Sequence, residues 1–268
     1  MLGAFSVVTG DNRSPVIIHI PHAGLRIPRS ELPSFVLSPA DLKAEARRMA
    51  DLDTHELAFQ VRDRSGYRPW LFQNEMSRLV MDPERFPDDS EIMNQVGMGV
   101  VYMQTSDRQV LRRPDRVRDA RIIRDYFLPY SRALTEVVAQ RLEIHETVTI
   151  IDLHTYHVQP LRYELDPYAR RPELCIGTDP FHTPPELVDT VRAAFAQSEI
   201  FDVALNTPFA GTYVPLRYYH REPRVRSVML EIRRDFVSDA PRGSDHYSLV
   251  SEAIRQVVRQ LNDAAAVE

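Results

Sequence analysis

Short apolar runs rich in valine and isoleucine alternate along this chain with longer stretches in which apolar residues recur at helical spacing. The runs PVIIHI (15–20), VTIIDL (148–153) and RSVMLEI (226–232) are near-continuous in apolar residues, the mark of strands buried on both faces. Further strands are predicted at 68–72, 77–81, 173–177 and 201–206, and helices at 39–63, 115–144, 185–197 and 244–262. The first helix has a clear start: Ser38 as N-cap, Pro39 at the first helical position and Asp41 in the first turn. Pro129 should kink or divide the long helix after 115. Alternation of this kind predicts a largely parallel or mixed sheet covered by helices. Two segments, 82–114 and 155–172, carry no such pattern and are dense in Pro, Asp, Arg and aromatic residues, a composition that favours functional loops.

At 268 residues and 43% hydrophobic content, the chain can bury a full core, and a single domain over 1–268 is expected, with a frayed tail at 264–268. No apolar run reaches the roughly 18 residues of a membrane span and the N-terminus has no signal-peptide pattern, so a cytoplasmic protein is the expectation. A net charge of −5 argues against nucleic acid as the main partner. One cysteine, Cys175, excludes an intramolecular disulfide and a thiolate cluster, so any metal must be held by His and carboxylate. Of 33 Lys plus Arg only Lys43 is lysine, on a polar helix face, and no GxxxxGK[ST] loop occurs; phosphate-loop and Schiff-base chemistry are disfavoured.

Four stretches could carry chemistry. In VIIHIPHAG, Pro21 ends the strand and leaves His22 just past its C-terminal end, where ligands bind in open α/β sheets; His19, inside the strand, reads as a hydrogen-bonded core histidine. VTIIDLHTYH repeats the arrangement, with His154 at a strand end and Asp152 beside it to orient the ring. In MADLDTHELA, Asp51 and His55 share a helical face and Asp53 points elsewhere; spacing alone favours a solvated acidic face. Glu231, after the apolar run Val228 to Leu230, is either a general base with a tuned pKa or a buried partner of Arg226, Arg233 or Arg234. NEMSRLVMDPERFPDD adds Asn74, Ser77, Arg78 and Arg85, with Asp82 to hold the arginines; guanidinium groups so held suit carboxylate recognition, although a surface ion-pair network has the same spacing.

Together VIIHIPHAG, DLDTHEL, SRLVMDPERFPDD, GMGVVY, IDLHTYH, LCIGTDPFHTP, NTPFAGTYVP and RSVMLEIRRD resemble the N-formylglutamate amidohydrolase (N-formylglutamate deformylase) family, over about residues 15 to 237. The resemblance implies a three-layer αβα fold with a central mixed sheet, like that of zinc carboxypeptidases (phosphorylase/hydrolase-like). It implies one zinc held by His22, Asp51 and His154, with Glu231 as base and Arg78 polarising the scissile carbonyl. Asn74, Ser77, Arg85 and His182 are substrate-binding candidates, and Arg162 and Arg217 could also clamp a carboxylate. The implied reaction is hydrolysis of an N-acyl amide of an acidic amino acid, with N-formyl-L-glutamate giving formate and L-glutamate. A deacylase for another N-acyl amino acid or small peptide, or an inactive metal-binding relative, are the alternatives. His and carboxylate ligands fit zinc and also accept iron, manganese or cobalt.

Overall fold

Strands built on near-continuous apolar runs need cover on both faces, and the chain provides it. A computed structural model describes residues 3–239 and 244–265. Seven strands form one mixed sheet: β1 (Phe5–Val8), β2 (Val16–Ile20), β3 (Trp70–Asn74), β4 (Val148–Tyr156), β5 (Leu174–Gly177), β6 (Val203–Leu205) and β7 (Val225–Arg233). Their order is β1-β3-β2-β4-β7-β5-β6. The centre, β3-β2-β4-β7, is parallel; β1 joins β3 and β5 joins β7 antiparallel. Every residue of β2 and β4 is buried, as their composition requires.

Side-chain alternation divides the core in two. Ile17, Phe72, Ile150 and Val225 face one layer, with α1 (Pro39–Met49), α3 (Arg116–Ile122) and α4 (Leu128–Leu142). Val16, Ile18, Ile151, Leu153, Val228 and Leu230 face the other, with α2 (Thr54–Asp63), α5 (Pro185–Gln197) and α6 (Asp245–Ala265). This is the expected three-layer αβα arrangement around a mixed sheet. Among the described residues no helix is long and apolar enough to cross a membrane.

The structure departs from these expectations at several places. The helix expected over 39–63 is two helices, because Leu42, Ala46 and Met49 pack in the first layer while Leu57, Ala58 and Val61 pack in the second. The chain crosses the end of the sheet between them, turning at Asp53, whose φ of 65° is left-handed. Asp51 therefore sits in the crossing, and the shared helical face with His55 does not exist. Segment 77–81 is no strand: Asn74 Oδ1 accepts from Met76 N and Ser77 Oγ from Leu79 N, which curls the chain while Leu79, Val80 and Met81 stay buried. Short, half-exposed β1 was not expected, and α6 carries residues 264 and 265 of the expected frayed tail; 266–268 lie outside the described residues. The helix is not broken ahead of Pro129: α3 runs through a π-helical segment, Ile123–Phe127, into α4, in whose first turn the proline sits.

Candidate metal centre

The same alternation that splits the core gathers the polar residues. His19 follows Ile17, Asp152 and His154 follow Ile150, and Glu231 lies two steps beyond Met229, so all four face the first layer at the C-terminal end of the parallel strands. Adjacent strands set His154 opposite Glu231 and His19 opposite Asp152. His22 comes from the turn after β2, which packs so closely on the segment after β3 that a Cβ on Gly24 would stand 2.5 Å from Met76 O. The Asn74 amide holds that turn by donating to Pro21 O at 2.9 Å. Asp51 is delivered from the opposite side, its N–H donating to His22 O at 3.0 Å.

Three donor atoms converge. His22 Nδ1 and His154 Nδ1 are 3.2 Å apart, and Asp51 Oδ2 is 3.6 Å from the first and 3.1 Å from the second. The outer nitrogens face carboxylates: His22 Nε2 is 3.0 Å from Asp82 Oδ1, and His154 Nε2 is 3.2 Å from Asp152 Oδ1 and 3.3 Å from Glu84 Oε1. A proton on His22 Nε2 satisfies Asp82, whereas His154 Nε2 lies near its carboxylates without a hydrogen bond; protonated there, both rings leave Nδ1 lone pairs pointing at a carboxylate oxygen. Such an arrangement demands positive charge. Burial opposes protonation of His154, but Glu84 and Asp152 overcome it and raise its pKa well above the ordinary imidazole value; burial would raise Asp51, but hydrogen bonds from both histidines hold it far below the carboxylate range. A divalent cation satisfies the same demand. Donor spacings of 3.1 to 3.6 Å match the roughly 3.3 Å edges of a tetrahedron built on bonds of about 2.0 to 2.1 Å, and buried His₂Asp donors with carboxylates behind them suit zinc. The residues fit the ion.

Supports continue outward. Asp152 also accepts from His19 Nδ1 at 2.8 Å and Tyr213 N at 3.0 Å, and His19 Nε2 meets Tyr130 Oη at 2.6 Å. His19 is thus a buried, hydrogen-bonded core histidine, and its partner is the carboxylate behind a candidate ligand. Asp82 is gripped by Arg78 Nη2 at 2.8 Å and Tyr102 Oη at 2.6 Å, which fixes the Arg78 guanidinium before any ligand arrives.

A cavity of about 540 Å³ opens over the donors and is lined by Arg78, Arg85, Tyr163, Arg234, Met229 and Glu231, among others. Glu231 is 9% exposed and its Oε2 has no hydrogen-bond partner. Burial pushes its pKa up to about 7, against the pull of His154. Its buried-salt-bridge alternative gains no support, since none of Arg226, Arg233 and Arg234 pairs with it; Arg234 Nη2 instead donates to Ala50 O at 2.5 Å, bracing the crossing that carries Asp51.

Several candidates stand apart from the cavity. Both polar atoms of the Asn74 side chain bond main chain, and Ser77 is buried in its turn. His182 Nδ1 meets Val225 O at 2.7 Å and its Nε2 accepts from His220 N at 2.8 Å. Arg162 and Arg217 are exposed. Sequence reasoning missed Glu84 altogether and used Asp82 only as an anchor for arginines; both lie in an aperiodic loop, where the sole signal is a cluster of acids and arginines in MDPERFPDD.

The sequence profile of the N-formylglutamate amidohydrolase family matches residues 14–238. The chain belongs to that family. Membership in the N-formylglutamate amidohydrolase family carries hydrolase activity on a small-molecule substrate. The fold agrees with the crystal structure of an N-formylglutamate amidohydrolase from Ralstonia eutropha, with a TM-score of 0.78 and 20% identity over 99% of each chain. A gene product of Agrobacterium tumefaciens aligns at a TM-score of 0.71 and 19% identity, over 98% of this chain and 96% of the other. Likeness at such identity shows the fold alone. No curated protein matches the chain.

Proposed function

We propose that the chain is a zinc-dependent amidohydrolase that cleaves the N-acyl amide of an acidic amino acid, with N-formyl-L-glutamate as the leading substrate. The observation that carries this reading is the convergence of His22 Nδ1, Asp51 Oδ2 and His154 Nδ1 beside a buried, unpaired Glu231 oxygen. Zinc held by those three residues would supply a water acidified toward neutrality and a polarised acyl oxygen. Glu231 takes a proton from the attacking water and delivers it to the amide nitrogen as the C–N bond breaks, leaving formate and a free amine. A carboxyl with a pKa of about 7 is matched to both transfers. Arg78, already fixed by Asp82, hydrogen-bonds the oxygen that gains negative charge. Arg85, held by Met98 O at 3.2 Å and lining the cavity, is the clamp for a substrate carboxylate.

A cavity of about 540 Å³ exceeds what N-formylglutamate fills and favours a second reading, a deacylase for a larger N-acyl amino acid or small peptide. A panel of N-formyl, N-formimino, N-acetyl and N-succinyl amino acids, assayed with zinc, separates the two. Highest kcat/KM for N-formyl-L-glutamate supports the first, preference for a bulkier acyl amino acid the second, and no hydrolysis of any refutes both. Asp51→Ala and His154→Ala should each lose bound zinc; full zinc occupancy in both would show that the ligands are misassigned.

A further inference from the structure

Glu84 has no place in the mechanism above, yet its carboxylate reaches the outer nitrogen of both histidines. Oε2 lies 3.5 Å from His22 Nε2, and Oε1 lies 3.3 Å from His154 Nε2. Its main chain is fixed by the bond from Glu84 N to Asp82 Oδ1 at 3.1 Å, and nine-tenths of its side chain is buried. Asp82 and Asp152 each approach one of these nitrogens more closely, but neither offers it an undivided charge. Asp82 is shared with Arg78 and Tyr102, and Asp152 with His19 and Tyr213 N. Glu84 differs in degree: its Oε1 also lies 3.6 Å from His19 Nδ1, but among the described residues no arginine or lysine pairs with it, and Oε1 is a buried atom without a hydrogen-bond partner.

We propose that Glu84 is a positioning residue for the metal centre, a single carboxylate that sets the ring orientation and donor strength of His22 and His154 together. The proposal rests on the reading of His22, Asp51 and His154 as metal ligands. A carboxylate behind a ligating imidazole keeps the proton on the far nitrogen and makes the near nitrogen a better donor. At 3.3 to 3.5 Å inside a buried cluster, its charge is weakly screened and acts on both rings. Both rings lie beside the same carboxylate, so one charge acts on the two donors together.

The test titrates the metal-free protein with Zn²⁺ against a chromogenic chelator and records the visible spectrum of the Co²⁺ form. Glu84→Gln, which keeps the shape and removes the charge, should bind zinc about 10- to 100-fold more weakly. Its Co²⁺ bands should shift relative to wild type. Glu84→Asp, which keeps the charge, should retain affinity closer to wild type. Unchanged zinc affinity in Glu84→Gln overturns the proposal. So does an equal loss in both variants accompanied by a lower metal-free melting temperature, the pattern of a packing role. Two zinc ions per wild-type chain, one of them lost in Glu84→Gln, would overturn it by making Glu84 a ligand. A wild-type protein that binds no zinc refutes the ligand set itself, a failure distinct from all of these.

Discussion

Replacing Glu231 by glutamine separates the energetic cost of the proposed base from its use. Burial lifts its carboxyl from the ordinary 4.5 to about 7 in the metal-free chain. At about 1.4 kcal/mol per tenfold change, that rise is worth roughly 3 kcal/mol. The sign follows from linkage. A carboxyl whose folded pKa is raised binds its proton more tightly when folded, so ionising it destabilises the fold; the penalty is absent below pH 4.5 and complete above pH 7. Glutamine never ionises, so the metal-free variant should match wild type near pH 4 and exceed it by roughly 3 kcal/mol at pH 8. For a chain of 268 residues this is a melting-temperature gain on the order of 5 °C. Turnover should fall by at least about 100-fold, with zinc still bound. Thermal melts at the two pH values and steady-state kinetics of the zinc-loaded enzyme measure both halves. Equal stability at pH 8, or turnover close to wild type, would refute the reasoning.

Gly24→Ala forces a Cβ to within 2.5 Å of Met76 O, so the turn must shift and carry His22 with it; zinc affinity should drop by at least tenfold in a chelator titration. Arg121→Ala removes the guanidinium that meets the fully buried Glu31 carboxylate at 2.7 and 2.8 Å. The loss of stability should be about 2 kcal/mol at neutral pH by chemical denaturation, less than for a wholly buried pair because Arg121 is partly exposed. Burial would raise the Glu31 carboxyl, but the hydrogen bonds from Arg121 and Tyr126 bring it below its ordinary 4.5, so this contribution is present above that pH and fades as pH falls past it. Arg78→Met should lower kcat by at least about 100-fold by removing a charged donor to the developing oxyanion, and a variant with unchanged kcat would exclude Arg78 from that role.

How far these residues were legible in the sequence depends on where each sits. His22, His154 and Glu231 stand out because buried apolar runs end at them, and a titratable group at the end of such a run needs a reason to be there. Asp51 is legible only through the family resemblance, and the helical face that spacing ascribes to it does not exist. Helical spacing continues across residues 50–53 although the two halves pack in different layers, and no local signal records which layer a helix will join. The run at 77–81 misled because burial without strand pairing is achieved by side-chain bonds from Asn74 and Ser77, which periodicity does not register. β1 escaped notice because a short edge strand, half exposed, need not be apolar throughout. Asp82 and Glu84 lie on a loop whose course is set by contacts with distant residues, so their convergence on two histidines from separate elements appears only in three dimensions.

The register of β4 against β7 has a consequence for how such an enzyme can diversify. His154 and Glu231 are partners across one step of a parallel ladder, so their backbones are separated by about 4.8 Å, the strand spacing of any sheet. The backbone separation of the proposed ligand and the proposed base is therefore a lattice constant of the fold, insensitive to insertion or substitution in the loops. The cavity wall, by contrast, is drawn largely from segments outside the sheet, including Phe86, Met93, Tyr163 and Phe209. Descendants of this chain can change the small molecule they accept by rewriting those segments, while the backbones of His154 and Glu231 keep their separation.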